Sequence, residues 1–273
     1  MSKGRVLFVN QEITPYLKES ILSNVGRFLP QYIQESGKEI RTFMPRFGNV
    51  NERKNQLHEV IRLSGINLII DNSDHPLIIK VASIQQARMQ VYFIDNEDFF
   101  QRKYDVIDED GEMFADNDER TIFYSRGVLE TIKKLNWQPQ IIHCNGWFSS
   151  LMPFYVKRTD YKNNPLFSNS KIILTLADDE FSGMLCEGIS KKLKSDGGTV
   201  KDWKNYKEPD YLNYMMAAIS YSEGVVLASE NVNPVLIEFA KQNKKHIVEY
   251  APLQEQAVKI NELYDKIMIQ TED

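Results

Sequence analysis

Short runs rich in β-branched and aromatic residues alternate with longer amphipathic stretches along this chain. The runs fall near residues 6–10, 40–45, 68–70, 77–81, 91–95, 141–144, 172–176, 225–228 and 247–250. Strand signals alternating with helical periods predict an α/β fold of Rossmann-like type, a mostly parallel sheet flanked by helices. Between about residues 63 and 91 the strands follow one another with no helical period, which predicts a β-hairpin insertion turning at Asn72, Ser73 and Asp74. In the first amphipathic stretch Leu17, Ile21, Val25, Phe28 and Tyr32 recur every three or four residues, joined by Leu22, Leu29 and Ile33. That period predicts a helix over 15–36, capped by Thr14, with Pro15 in its first turn and Gly37 as its stop. Pro30 is expected to kink or interrupt it. A second helix is expected from Asp116, with Glu119 as capping-box partner and Ile122, Phe123, Leu129, Ile132 and Leu135 as its buried stripe. Six lysines with Asp196, Gly197 and Gly198 make 187–210 an expected solvated, mobile excursion. Val258, Ile260, Leu263, Tyr264 and Ile267 predict a last helix. The expected organisation is one Rossmann-like domain over 1–252 and a C-terminal helix over 253–273 that packs back on it.

Composition narrows the function. With 33 Lys and Arg against 38 Asp and Glu the net charge is −5, and no basic stripe offers a footprint for a phosphate backbone, so nucleic-acid binding is disfavoured. No apolar run approaches the roughly 18 residues of a membrane span, so no membrane partner is expected. Cys144 and Cys186 are too few for a disulfide scaffold and lack metal or redox spacing, which points to a cytoplasmic setting. His58, His75 and His246 are scattered, and neither metal nor cofactor is expected.

Five blocks then share one likeness. They are Val6-Leu7-Phe8-Val9-Asn10-Gln11-Glu12-Ile13-Thr14-Pro15-Tyr16 with Lys18 and Val25-Gly26; Met44-Pro45-Arg46-Phe47-Gly48; Val91-Tyr92-Phe93-Ile94-Asp95-Asn96 with Phe99 and Arg102; Asp116-Asn117-Asp118-Glu119-Arg120 with Phe123, Ser125-Arg126 and Leu129-Glu130; and Trp137-Gln138-Pro139-Gln140-Ile141-Ile142-His143-Cys144 with Trp147 and Leu151. In this order they resemble the N-terminal half of bacterial glycogen synthases and plant starch synthases, glycosyltransferase family 5. The resemblance is clear over the first 160 or so residues and weak from Lys171 to about Ser229. It implies the first of the two Rossmann-like domains of a GT-B enzyme, which holds ADP-glucose in the cleft between the domains and moves its glucose to an α-1,4-glucan. A second domain does not fit in the residues after Ser229, and the terminal helix resembles the one that closes such enzymes.

Against that family three stretches depart. The family's Lys-Thr-Gly-Gly-Leu-Gly-Asp loop, which brings N–H groups and a lysine to the donor phosphates, is matched by Lys18-Glu19-Ser20-Ile21-Leu22-Ser23-Asn24. All its glycines are gone, β-branched Ile21 disfavours positive φ, and the loop is expected to have become helix. The family's His-Asp-Trp is replaced by Asn145-Gly146-Trp147, and Asn145 does not titrate near neutrality. Its Thr-Ile-His-Asn corresponds to Thr175-Leu176-Ala177-Asp178. No catalytic residue is therefore assigned. Lys18, Glu12, Asn145 and Trp147 are the candidates for a remnant nucleotide-sugar or glycan site. Their plainer readings are a solvated lysine, a loop-bracing carboxylate, a turn-forming Asn-Gly pair and a core tryptophan, as His143 reads as a satisfied, half-buried histidine. Three functions follow: a non-catalytic pseudoenzyme module that binds glycan or ADP-glucose or regulates, half of a glucosyltransferase completed by a partner chain on the exposed cleft face, or an interaction protein with no ligand.

Overall fold

The β-branched runs become strands because their side chains are buried on both faces, the environment of a parallel sheet covered by helices. The computed structural model describes residues 4–186 and 188–269. Glu187 and residues 270–273, which fall in the lysine-rich and terminal segments above, lie outside the described residues.

The elements are β1 (Arg5–Asn10), α1 (Ile21–Glu35), β2 (Glu39–Pro45), β3 (His58–Glu59), β4 (Ile66–Ile70), β5 (Ser73–Ile84), β6 (Met89–Asp95), α2 (Glu97–Phe100) and α3 (Asn117–Leu135). They continue as β7 (Ile141–Asn145), α4 (Met152–Arg158), β8 (Lys171–Leu176), α5 (Ile189–Asp196), α6 (Val200–Lys204) and α7 (Tyr211–Ser220). The chain then forms β9 (Gly224–Leu227), α8 (Pro234–Gln242), β10 (His246–Val248) and α9 (Leu253–Ile269). The sheet order is β10-β9-β8-β7-β1-β2-β6-β5-β3, with β4 paired to β5. The pairs from β10 to β6 are parallel and those of β5 antiparallel. This is the expected α/β, mostly parallel architecture. The chain runs from β1 outward through β2 and β6, then returns to β7 on the other side of β1. The strand order therefore reverses at β1, where an open α/β sheet leaves a crevice beyond the carboxyl ends of its strands.

The hairpin turns one residue earlier than expected. Asp71 and Asn72 have φ of 45° and 67°, the pair of positive values a tight two-residue hairpin turn requires. Ser73 and Asp74 are strand residues opposite Ile70 and Ile69.

Helix α1 starts at Ile21, not Pro15. Ser20 caps it: its hydroxyl accepts the Ser23 N–H at 2.9 Å while Ser23 Oγ accepts the Ser20 N–H at 2.8 Å. Residues 14–20 form a loop whose Thr14–Pro15 peptide is cis. The buried stripe is Leu22, Val25, Leu29 and Ile33, whereas Phe28 is 49% exposed and Ile21 41%. Pro30 does not interrupt the helix. Burying those four side chains contributes about 1.5–3 kcal/mol each, more than the ~3 kcal/mol of an internal proline. Gly26 belongs to this packing, since a Cβ there would stand 2.3 Å from the Glu12 carbonyl oxygen.

Helix α3 keeps its apolar stripe but not its expected capping box. Asp116 makes no side-chain cap, because its carboxylate is taken by Arg102, and Glu119 is taken by Lys192 at 2.7 Å. The lysine-rich segment is a second correction. It folds as α5 and α6 and is held by buried Ile189, Leu193 and Tyr206, by Lys192 on Asp118 at 2.6 Å, and by Arg158 on Asp202. Its charges conceal an apolar face at helical spacing. Helix α9 lays Ala257, Ile260, Leu263, Tyr264 and Ile267 into the core, and Lys38, just after α1, pairs with its Asp265 at 2.7 Å.

Candidate functional site

The end of β1 and the loops after β1 and β2 enclose a groove of about 570 Å³ with the Tyr104–Ile107 stretch that precedes α3. Glu12 and Lys18 both line it, with Tyr16, Asn49, Lys54 and Asp105 among its other walls. Glu12 follows β1 and reaches the start of α1: its Oε2 accepts the Ser20 hydroxyl at 2.6 Å and its Oε1 the Gln11 amide at 3.4 Å. Burial raises its pKa, Asp105 and Asp179 add to the rise, and the hydrogen bonds from Ser20 and Gln11 oppose it. Glu12 therefore braces the loop to the helix cap while still facing the groove. Lys18 is exposed and has no hydrogen bond or ion pair with any described residue. It stands in the loop before α1 rather than in its first turn, so the helix dipole does not bear on it as it would inside the helix.

The structure does not bring Asn145 and Trp147 into this groove. Asn145 is 1% exposed and ties β7 to α1, its Nδ2 donating to the Leu22 carbonyl at 2.9 Å and to Asn10 Oδ1 at 3.3 Å. Trp147 is 2% exposed and packs edge-on to Phe181 at 4.9 Å, while its backbone N–H donates to Asp179 Oδ2 at 3.0 Å. Between them Gly146 takes φ of 87°, and a Cβ there would lie 2.8 Å from Gln11 Oε1. That oxygen accepts the Phe148 N–H at 3.0 Å, so a glycine at this turn lets Gln11 join β1 to the β7 turn. Thr175, in the third departing stretch, donates to or accepts from His143 Nε2 at 2.6 Å. His143 is fully buried rather than half-buried. Its Nδ1 meets the Tyr264 hydroxyl of α9, and burial lowers its pKa to about 3, so it is neutral at physiological pH.

Two groups lie within the motifs but are not singled out by them. Tyr16 lines the groove with a buried hydroxyl that has no hydrogen-bond partner among the described residues; burial raises its pKa to about 12 despite Arg27 nearby. It is part of the first motif, but nothing in the residues themselves shows where the hydroxyl points. Arg120 is 0% exposed, with no carboxylate partner. It donates to the Phe99 carbonyl at 2.8 Å, Asn117 Oδ1 at 2.6 Å and the Asp105 carbonyl at 2.7 Å, beneath Phe47, Phe100, Phe114 and Phe148 at 5.2–5.6 Å. Burial lowers its pKa to about 9, Arg102 adding to the effect, and it stays charged at neutral pH. By holding Asp105 it fixes one wall of the groove.

Among the described residues no cluster of three or more His, Cys, Asp or Glu could hold a metal ion, and no helix is long and apolar enough to cross a membrane. Chemically, among the described residues the groove offers two unpaired cations, Lys18 and Lys54, against the carboxylates of Glu12, Glu19 and Asp105, with side-chain amides and tyrosines between them, a lining that suits hydroxyl groups better than a bare diphosphate.

The sheet reversal at β1 and the groove over the strand ends define a Rossmann-like α/β domain whose candidate site stands where such sheets place ligands. The starch synthase catalytic domain family matches residues 5–243, and the chain belongs to that family. The glycogen synthase of Chlorobium limicola (strain DSM 245) is 37% identical over 190 residues, 69% of this chain and 39% of the relative. That of Pelodictyon phaeoclathratiforme is 35% identical over 228 residues, 83% of this chain and 46% of the relative. The chain thus spans less than half the length of these curated relatives. The catalytic domain of starch synthase IV from Arabidopsis thaliana, bound to ADP and acarbose, has the same fold, with a TM-score of 0.69 and 17% identity over 91% of this chain and 51% of the other.

Proposed function

We propose that this chain is a binding or regulatory module of the glycogen and starch synthase family that takes a glycan or a nucleotide sugar and does not transfer glucose by itself. The observation that carries this reading is the start of α1. A phosphate loop works by aiming unpaired N–H groups at the anion. Here the N–H groups of Ser20 and Ser23 are spent on each other's hydroxyls, Glu12 rests on the Ser20 hydroxyl, and Glu19 adds a second negative charge to the groove wall. Retaining glucosyl transfer must stabilise a departing diphosphate, and these residues oppose one. His143 is buried and neutral, and Asn145 is sealed beneath the turn, so neither supplies an acid or base at the groove. What the groove retains is Lys18 and Lys54 for an anionic group, and Tyr104, Asn49 and Asp105 for hydroxyls. The neighbour's own ADP and acarbose support a ligand of this class. Two free thiols, Cys144 and Cys186, suit a cytoplasmic setting.

Calorimetric titration of the purified chain with maltotriose, ADP and ADP-glucose tests the proposal, alongside an assay of glucose transfer to glycogen. Saturable binding without transfer is expected. Transfer by the chain alone would refute the non-catalytic reading, and the absence of binding for all three ligands would favour an interaction protein. A half-enzyme completed by a partner chain would instead show transfer only on addition of a second purified chain.

A further inference from the structure

A second recess, of about 350 Å³, lies between α3, the α4 end with the turn after it, and the end of α5. It shares no lining residue with the groove. Arg126, Glu130 and Lys133 stand four and three residues apart and so lie on one face of α3. Each is paired: Arg126 with Asp196 at 3.2 Å and Lys133 with Glu130 at 2.9 Å. Buried Tyr155 donates to Asp196 Oδ2 and Tyr161 to Glu130 Oε1, both at 2.6 Å. These bonds hold the carboxylates in place.

The chemistry of the recess excludes two classes of ligand. Its cations are already neutralised, so a phosphate would meet no uncompensated positive charge and would face three carboxylates, Glu130, Asp160 and Asp196. Its walls are too polar for an acyl chain. What remains unspent is an alternation of donors and acceptors. Arg126 Nε and Nη2 and Asn164 Nδ2 donate to no described residue, and the Asp160 carboxylate accepts from none. Asp196 makes one bond at Oδ1 and one at Oδ2, so each oxygen has a second lone pair to offer. A guanidinium donor fixed beside a carboxylate acceptor matches adjacent hydroxyls, each of which can donate and accept. The partly buried Tyr161 ring, packed edge-on to Phe167 at 5.9 Å, supplies an apolar wall for the C–H face of a ring.

We propose that this recess is a separate binding site for a neutral polyhydroxylated ring, a sugar unit, read by the Arg126–Asp196 couple with Asn164 and Asp160 at its rim. The site stands independently of the groove. The test is an amide-resolved NMR titration of the full chain with maltotriose and, separately, with inorganic phosphate. Maltotriose should produce saturable shifts centred on Tyr161, Asn164 and Asp196, and phosphate should not. The rim variant Asp160→Ala/Asn164→Ala, which leaves the Arg126–Asp196–Tyr155 cluster intact, should weaken these shifts about tenfold or more, the loss of two hydrogen bonds. Tyr104→Ala, in the groove, should leave them in place. The proposal is overturned if the recess shows no maltotriose shifts, if phosphate produces them equally, or if the rim variant leaves them unchanged. Shifts confined to the groove would support the groove reading and overturn this one.

Discussion

Replacing Arg120 by methionine separates packing from charge at the most buried cation of the fold. The methionine fills much of the stem volume, so the change isolates the guanidinium. Removing it leaves the Phe99 and Asp105 carbonyls and Asn117 Oδ1 without their donor. A buried acceptor left unmade costs about 1–3 kcal/mol, and three of them give roughly 3–9 kcal/mol. The four aromatic rings around the guanidinium add about 0.5–2 kcal/mol. Against this, the protein no longer desolvates a cation, a saving of several kcal/mol, and relaxation of residues 99–107 will rehydrate part of what is exposed. The expected net loss is about 2–4 kcal/mol, read as a lower urea midpoint at unchanged m-value, or a melting point lower by about 4–16 °C. Arg120→Lys keeps the charge but not the three-way fork and should lose about 2 kcal/mol. Because two of the acceptors lie in 99–105, amide exchange should quicken first across 99–107, and any ligand of the groove should bind more weakly. A methionine variant within 0.5 kcal/mol of the parent, or exchange raised evenly over the chain, would refute the assignment of Arg120 as the tie between α3 and the groove wall.

Other perturbations test separate parts of the molecule. Burial alone would raise Asp202, but hydrogen bonds from Arg158, Thr199 and Tyr221 overcome it and bring the carboxyl down to about 2 from 3.8. A depressed folded pKa stabilises above the unfolded value and is lost as pH falls from about 4 to 2. The parent should therefore exceed Asp202→Asn by at most about 2 kcal/mol at pH 6, reduced by solvent around Arg158, with the gap narrowing toward pH 2; a pH-independent gap would contradict this. Gly146→Ala, at φ of 87° and against Gln11, should lose about 2 kcal/mol in thermal unfolding, and a neutral result would show that the β7 turn can shift. Lys18→Ala should leave the urea midpoint within about 0.5 kcal/mol and weaken ADP binding severalfold in calorimetry, whereas undiminished binding would remove Lys18 from the site.

The sheet was legible in the sequence because doubly buried strands leave continuous apolar runs, and those of β1, β7 and β8 contain little else. The helix starts were less so. Thr14-Pro15 and Ser20 carry equal local claims to the first cap, and the choice is made by Glu12, eight residues from Ser20, whose carboxylate takes the Ser20 hydroxyl. Asp116 fails as a cap for the same kind of reason, because Arg102 engages it from another segment. The lysines of α5 and α6 suggested a solvated excursion, yet Ile189, Leu193 and Tyr206 hold it down, and Lys192 is drawn in by Asp118 and Glu119 of α3. At the candidate site, Glu12 and Lys18 could be found from their motif. Asn145 and Trp147 share a motif too, but strand pairing and the Gly146 turn direct them inward. Arg120 gave no signal of burial, since an arginine in a charged helix start reads as solvated until its three acceptors are assembled from 99, 105 and 117.

On the proposed reading that residues 18–24 stand where the family has its phosphate loop, the absence of glycines there and the capping box are one feature seen twice. Glycine at a helix start leaves N–H groups free for an anion, whereas serine at Ser20 and Ser23 spends them inside the protein and steadies the helix. Glu19 then adds charge repulsion at the same place. These two causes are separable. Ser20→Gly/Ser23→Gly frees both donors and should cost about 1 kcal/mol of stability; if the capping box blocks the anion, ADP binding measured by calorimetry rises severalfold. If affinity is unchanged until Glu19→Thr is added, repulsion is the barrier instead, and the argument from spent N–H groups fails. No gain in the triple variant would mean that the groove has lost the rest of the nucleotide site as well, and that its amides, tyrosines and carboxylates are arranged for a neutral glycan.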